Sequence, residues 1–412
     1  MKSLKILILA SGSRGDVQPF VALSLYLKSL GHEIYFCCPP NFEDWIKSFD
    51  LNFYSFGHDI QKIAQEHAQA IMDKPIKVFT TFLGLLKEEL DLQHKQLFEY
   101  MKDKDLAIGA SIQLAASYMF EYYKTPFYYV GFCPNLFPSN YHAPITTPIL
   151  SENHYINKIL WFLHNKLLNL PLKKQINKYR KQLNLPQVSD VLNFTGKAKL
   201  IVASEEVIAK LPKDQENILF QSGAFHLFNQ GKLPEDIENF IEGNKPVIYI
   251  GFGSMTDTNP EKTSKMLLEV VKKTGVKLII SKGWAGLGEK LENNENIKVI
   301  GSVSHHELFP KMALVIHHGG AGTTNTCAYA GVPQIIVPHL MDQYYWGDKI
   351  KKLSIGVKPI PRNKLNTEVL IQNIKKILRN PYFKKNALKI KEKLVKNNGV
   401  KNACDFILKD FE

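Results

Sequence analysis

The chain has 412 residues, 45% apolar and 22% charged, the balance of a globular protein with length for two hydrophobic cores. No apolar run approaches the roughly 20 residues that a membrane helix needs. A net charge of +13 admits anionic partners, but the aromatic–basic interleaving and zinc spacing of a nucleic-acid module are missing, so nucleic acid is set aside as a partner.

The opening "MKSLKILILASGSRGD" has the apolar start of a secretory signal. Its apolar stretch is only Leu4–Ala10 and runs directly into a glycine loop and an amphipathic segment, so it is read as a first β-strand. "VQPFVALSLYLKSL" spaces Val17, Phe20, Val21, Leu25 and Leu27 as a helix, which Gly31 stops. "EIYFCC" is the next strand, ended by Pro39-Pro40. Residues 60–100 read as amphipathic helices, and "DLAIGAS" and "PFYYVGF" as buried strands. Strands alternating with helices imply a parallel sheet covered on both faces. From Pro134 to about Asn193 the regularity fails, and prolines fall among Phe137, Tyr141, His142, Trp161 and Phe162. An aromatic excursion of this kind suits an apolar pocket, and equally a packed surface loop.

A polar stretch rich in Gly and Pro, "NQGKLPEDIENFIEGNKP", separates this region from a second strand–helix series. The expected architecture is α/β, two facing Rossmann-like domains with a cleft between them. The boundaries are set at 1–225 for the first domain, 226–245 for a linker and 246–390 for the second. Residues 391–412 form a C-terminal helix able to pack back on the first domain. Five cysteines without metal or CxxC spacing fit a reducing, cytoplasmic setting.

The chemistry gathers in loops at strand ends. In "LVIHHGGAGTT" the glycines at 319, 320 and 322 bare the main chain ahead of a helix, whose unpaired first-turn N–H groups and positive dipole end make an anion seat. Thr323 adds a hydroxyl and His318 a ring nitrogen. Neighbouring histidines point in different directions and no acid or cysteine completes a set, so no metal site is expected. "YIGFGSM" offers Ser254 to a phosphate, and "IGSVSHHELF" offers main chain near Val303 to the edge of a base. "PHLMDQYYWGDK" supplies Asp342 and Gln343, which together accept and donate hydrogen bonds as vicinal sugar hydroxyls require. In "SGSRGDVQP", Asp16 opens a helix as its N-cap and also faces the cleft, with Ser13 and Arg14 beside it.

"HHGGAGTT…AGVPQIIVP…DQYYWGDKI" resembles the donor-binding signature of GT-B glycosyltransferases that use nucleotide-diphosphate sugars. The resemblance is closest to the branch holding the sterol glucosyltransferases and the glycopeptide-antibiotic and macrolide glycosyltransferases. "SGSRGDVQPFVALSLYLKSLGHEI" resembles that branch's N-terminal motif, and "SKGWAGLG" a stretch of its sterol-type members. It implies that His318, Gly322 and Thr323 hold the donor diphosphate with Gly320 and Ser254 alongside, that main chain at Val303 meets the base, and that Asp342 and Gln343 hold the hexose; Ser13 and Arg14, beside Asp16, are read as neutralising or positioning phosphate. It gives Asp16 the general base's role. Two departures loosen the base specificity: "GSVS" stands where plant-type members carry a tryptophan against uracil, and Thr326 stands where they carry an acid for the ribose.

The expected reaction is an inverting, metal-independent transfer of a hexose to a hydroxyl of a lipophilic acceptor such as a sterol, polyketide or phenolic. The donor is a UDP- or dTDP-sugar, with UDP-glucose leading, used as co-substrate without a cofactor. A peripheral membrane contact through the basic C-terminal region stays open. The alternatives are a nucleotide-sugar epimerase or hydrolase on the same fold, and a donor-binding protein that has lost catalysis. A dinucleotide-dependent oxidoreductase is excluded, because "SGSRGD" lacks the GxGxxG spacing and Glu33 stands at the wrong distance for the ribose acid.

Overall fold

The computed structural model describes residues 2–66, 75–111, 113–191, 198–228, 231–257 and 259–412. Parts of three sequence readings therefore lie outside the described residues: 67–74 of the helical region, 192–193 at the end of the excursion, and 229–230 in the linker. Among the described residues the strands form two parallel sheets. The first has seven strands in the order β3-β2-β1-β4-β5-β6-β7, and the second five in the order β10-β9-β8-β11-β12.

In the first sheet the strands are β1 (Lys5–Ala10), β2 (Glu33–Cys38), β3 (Asn52–Ser55), β4 (Leu106–Ala110), β5 (Phe127–Gly131), β6 (Lys199–Val202) and β7 (Leu219–Gln221). In the second they are β8 (Val247–Gly251), β9 (Lys277–Ser281), β10 (Ile297–Ile300), β11 (Leu314–His317) and β12 (Gln334–Ile336). Central strands are apolar along their whole length because both faces are covered. Ile6 and Ile8 join Val17 and Phe20 of the helix α1 (Arg14–Ser29) on one face. Leu7 and Leu9 join Leu90, Leu97 and Leu172 on the other. Burying each such side chain contributes about 1.5–3 kcal/mol.

The irregular stretch after β5 leads into one long helix, α2 (His154–Gln182), with Pro171 inside it. The aromatic residues of this region do not converge on a single pocket. Trp161 is buried, its indole Nε1 donating to the His142 carbonyl at 3.0 Å, whereas Phe162 is 65% exposed. Adjacent helical residues point about 100° apart, so one aromatic enters the core and the next leaves it.

The second sheet carries α3 (Ala321–Ala330) after β11 and α4 (Gln343–Lys352) after β12, and the chain continues through α5 (Pro381–Leu394) and α6 (Gly399–Leu408). The last of these lies against the first sheet's α1: Ala403, Cys404 and Ile407 enter the same core as Phe20. A further cluster joins the halves, with Cys133, Ile208 and Ala209 from the first meeting Ala328, Tyr345, Trp346 and Ile390 from the second. All five cysteines are free and buried. Among the described residues no helix is long and apolar enough to cross a membrane.

In open parallel sheets the crevice lies at the carboxyl ends of the two strands between which the winding reverses. In the first sheet those strands are β1 and β4, and in the second β8 and β11. The loops that follow them contain Ser13 and Ser111, and Ser254 and His318 respectively.

Candidate active site

The turn after β1 folds a carboxylate back on itself. Helix α1 begins at Arg14, with Ser13 as N-cap, so Asp16 is the third helical residue rather than the cap expected from sequence. The backbone N–H of Ser13 donates to Asp16 Oδ2 at 2.8 Å, and the Ser13 hydroxyl reaches the same oxygen at 3.1 Å. This is the return half of a capping box. Gly12 is required for it: its φ is +124°, and a Cβ there would stand 2.4 Å from Asp16 Oδ2. The other oxygen, Oδ1, accepts from the Ser111 hydroxyl at 2.7 Å. Ser111 holds a left-handed φ of +63°, and Tyr129 donates its phenol proton to the Ser111 carbonyl at 2.9 Å. Burial raises the Asp16 pKa, while the bonds from Ser111 and Ser13 work against the rise. Sequence reading missed Ser111, which lies 95 residues away along the chain.

Across the cleft, the loop between β11 and α3 sorts two adjacent histidines. His317 is fully buried. It accepts at Nδ1 from the Gly319 N–H (3.1 Å), and its Nε2 meets Gln334 Oε1 at 2.9 Å. These partners assign the Nε2–H tautomer and make His317 a brace for the loop. The His318 ring is turned by 89° to it and sits between two glycines. A Cβ on Gly320 would stand 2.5 Å from His318 Nε2, and one on Gly253 3.2 Å from its Cε1. Glycine at 320 therefore serves two ends, a bare helix tip and room for an imidazole. His318 Nδ1 is buried without a hydrogen-bond partner among the described residues. Burial, reinforced by His317, His339 and His305, lowers the His318 pKa to about 3, so the ring is neutral at pH 7.

The Asp342 carboxylate reaches one N–H of the α3 tip, that of Ala321, and the rest of the tip is uncapped. Its N-cap is Gly320, without a capping side chain, and the first turn holds no acid. Thr324 and Thr326 turn their hydroxyls back to the carbonyls of Gly320 and Gly322, while Gly322 and Thr323 keep exposed surface. Thr326, at the position of the plant-type ribose acid, is thus committed to its own helix. Ser254 stands half-buried on the loop after β8. The "SKGWAGLG" segment packs behind that loop, with the Trp284 N–H donating to the Gly253 carbonyl at 2.9 Å.

Asp342 precedes α4, yet its carboxylate does not cap the helix; Oδ2 accepts from Trp346 Nε1 at 2.9 Å. Burial pushes its pKa up to about 7; the Trp346 bond opposes the rise, and the charge of Asp16 adds to it. That interaction places the two carboxylates within electrostatic range across the cleft. Gln343 is buried, and its Oε1 accepts from the backbone N–H groups of His339 (2.7 Å) and Leu340 (3.1 Å). Its amide oxygen is used to fold the loop, and its Nε2 meets Met255 Sδ at 3.3 Å.

Arg14 crosses between the halves. Its Nη1 donates to Ser302 Oγ at 2.7 Å, its Nε to Gln18 Oε1 at 3.2 Å, and its guanidinium lies 4.5 Å from the centroid of the Trp45 ring. Arg14 therefore reaches Ser302, next to Val303 on the loop after β10. Among the described residues no group of three His, Cys, Asp or Glu side chains is arranged to hold a metal ion.

Two family models match the chain: the glycosyltransferase family 28 N-terminal domain over residues 6–110, and the C-terminal domain of the erythromycin biosynthesis protein CIII-like type over residues 276–399. The glycosyltransferase GtfE of Amycolatopsis orientalis is 31% identical over 365 residues, 86% of this chain and 85% of that protein. The chain belongs to the GT-B glycosyltransferases. The sterol 3-beta-glucosyltransferase UGT80B1 of Arabidopsis thaliana is 30% identical over 98% of this chain and 67% of its own length. The crystal structure of the glycosyltransferase VinC in complex with dTDP shares the fold with a TM-score of 0.72 at 16% identity, covering 98% of each chain. In this GT-B chain the turn around Asp16 lies within the first matched segment, and the α3 tip, Asp342 and Gln343 lie within the second.

Proposed function

We propose that this glycosyltransferase transfers a hexose, with inversion and without a metal ion, from a nucleoside-diphosphate sugar to a hydroxyl of a lipophilic acceptor. UDP-glucose is the leading donor, dTDP-sugars the alternative, and sterols, polyketides and phenolics the acceptor class. The reading rests on one relationship: the Asp16 carboxylate at the end of β1 acts electrostatically on Asp342, whose carboxylate reaches the Ala321 N–H at the tip of α3, and α1 packs near that helix.

The diphosphate sits at the N-terminus of α3, on the N–H groups after Gly320, with a ring nitrogen of His318 and the hydroxyls of Thr323 and Ser254. Main chain at Val303 meets the base, with Arg14 closing that end from the first sheet and Ser13 lying on the diphosphate side. Asp342 faces the hexose, and Gln343, whose Oε1 braces the loop, offers it only an amide N–H. As the acceptor oxygen attacks the anomeric carbon, its proton passes to Asp16 Oδ1, which retains a lone pair beside the Ser111 bond. The carbon–oxygen bond to the diphosphate breaks, and its electron pair leaves with the nucleotide. One in-line displacement inverts the anomeric carbon. General-base help is worth about 10²–10⁴ in rate, and the helix tip stabilises charge on the leaving group. These donors do the work that a divalent cation does elsewhere, and no cofactor is called for. The sterol glucosyltransferase relative supports an apolar acceptor, and the dTDP complex of VinC supports a nucleoside-diphosphate donor.

The test incubates purified protein with UDP- and dTDP-sugars and a mixed pool of lipophilic alcohols and phenols, in the presence of EDTA. Acceptor-dependent release of nucleoside diphosphate and a product of inverted anomeric configuration support the reading. Release that is equally fast without acceptor favours a hydrolase instead.

A further inference from the structure

The outward face of α2 is apolar where a surface helix is ordinarily polar. The helix buries Asn157, Trp161, Leu172 and Ile176 on one side. On the other, Tyr155, Ile159, Phe162, Leu163, Leu167 and Leu170 are all exposed, Tyr155 by 81% and Leu170 by 67%. Apart from the adjacent Phe162 and Leu163, steps of three and four residues put them on one broad stripe. The segment just before the helix adds exposed Ile149 and Leu150. A contiguous apolar face of this size marks an interaction surface.

Charge decides what covers it. From His154 to Gln182 the sequence holds six lysines, one arginine and no acidic residue. Arg180 turns inward to Glu121 at 2.9 Å, and Lys158, Lys166, Lys173, Lys174, Lys178 and Lys181 are exposed. One of them, Lys166, lies 5.9 Å from the centroid of the exposed Phe162 ring, so cation and apolar surface share the same side. The lysine-rich C-terminal helices differ: they turn Ala387, Ile390, Leu394, Ala403 and Ile407 into the cores.

We propose that the outer face of α2 docks on an anionic phospholipid surface, the apolar stripe entering the headgroup boundary and the lysines neutralising lipid phosphates. The helix lies in the membrane plane and does not span it. The inference goes beyond the transfer reaction and does not depend on it, since docking needs no sugar donor.

The test is co-sedimentation of the full chain with vesicles of phosphatidylcholine, with and without phosphatidylglycerol. Binding rises by about tenfold or more with phosphatidylglycerol and falls with added salt. Phe162→Asp with Leu167→Asp removes the apolar contact, and Lys158→Glu with Lys166→Glu and Lys173→Glu removes the charge. Each set lowers binding about tenfold, while UDP titration heats, read as a check of folding, match the parent protein. Equal sedimentation on both vesicle types, or either variant binding like the parent, overturns the proposal. So does a dimer that Phe162→Asp with Leu167→Asp dissolves in light scattering, because a second copy of the chain then covers the face. A parent protein that binds vesicles but no UDP leaves docking in place and refutes the donor reading instead.

Discussion

Ser111 Oγ donates to Asp16 Oδ1 at 2.7 Å from a backbone held at φ +63°. Non-glycine residues rarely adopt that conformation, and here it aims one hydroxyl at the proposed base. We predict that Ser111→Ala lowers kcat about tenfold, in line with loss of a hydrogen bond to a charged group. The bond from Ser111 holds the Asp16 pKa down, so its loss raises that pKa and moves the acid limb of the kcat/KM profile to higher pH. An unchanged acid limb counts against the positioning role.

Asp16→Asn keeps the size of the side chain and removes the base. Transfer falls by about 10²–10⁴, while affinity for UDP changes less than about threefold. Steady-state rates together with equilibrium titration check both halves, and an active variant refutes the assignment of the base.

Gly320→Ala brings a methyl group 2.5 Å from His318 Nε2, so the ring must leave its slot. Both Gly320→Ala and His318→Ala are expected to weaken UDP binding about tenfold or more without loss of folded signal by circular dichroism. Gly331→Ala, at the far end of α3 where φ is +70°, serves as a control that strains the same helix and leaves UDP affinity unchanged.

Asp342 gives a stability prediction with a definite sign. Its carboxyl is raised to about 7 in the folded chain, against an ordinary carboxylate value when unfolded. The folded state therefore holds the proton more tightly across that interval. The contribution is fully present below the unfolded pKa and is lost as pH rises through about 7. Asp342→Asn removes this loss, so the variant gains thermal stability over the parent at pH 8 and not at pH 4. A gain near 1 kcal/mol corresponds to about 2–4 °C. The residue as a whole is only half-buried, which limits the effect to that scale. Scanning calorimetry at the two pH values is the check, and equal shifts at both contradict it.

Much of the site was legible in the sequence because its parts are short and contiguous. "HHGGAGTT" and "SRGDVQP" each place several groups within one turn of chain, and the strand–helix rhythm fixed which ends of the sheets they occupy. What the sequence left hidden depends on long-range contact. Ser111 reaches Asp16 only because β1 and β4 pair in parallel, with Ala10 beside Ala110. Arg14 reads as a phosphate ligand by its position, yet it extends across the cleft to Ser302. The Trp346 bond to Asp342 was within reach, since four residues is one helical turn. In α2 the aromatic content was plain, but a stretch of apolar residues does not show which face its neighbours cover; Trp161 is inside and Phe162 is out.

The central claim is that a nucleoside diphosphate sits at the N-terminal tip of α3 beside His318, opposite Asp16. Isothermal titration of the purified chain with UDP and dTDP tests it most directly. Saturable binding of at least one of them, weakened about tenfold or more by His318→Ala and left intact by Asp16→Asn, is the predicted result. No uptake of either nucleotide, or binding indifferent to His318→Ala, contradicts it.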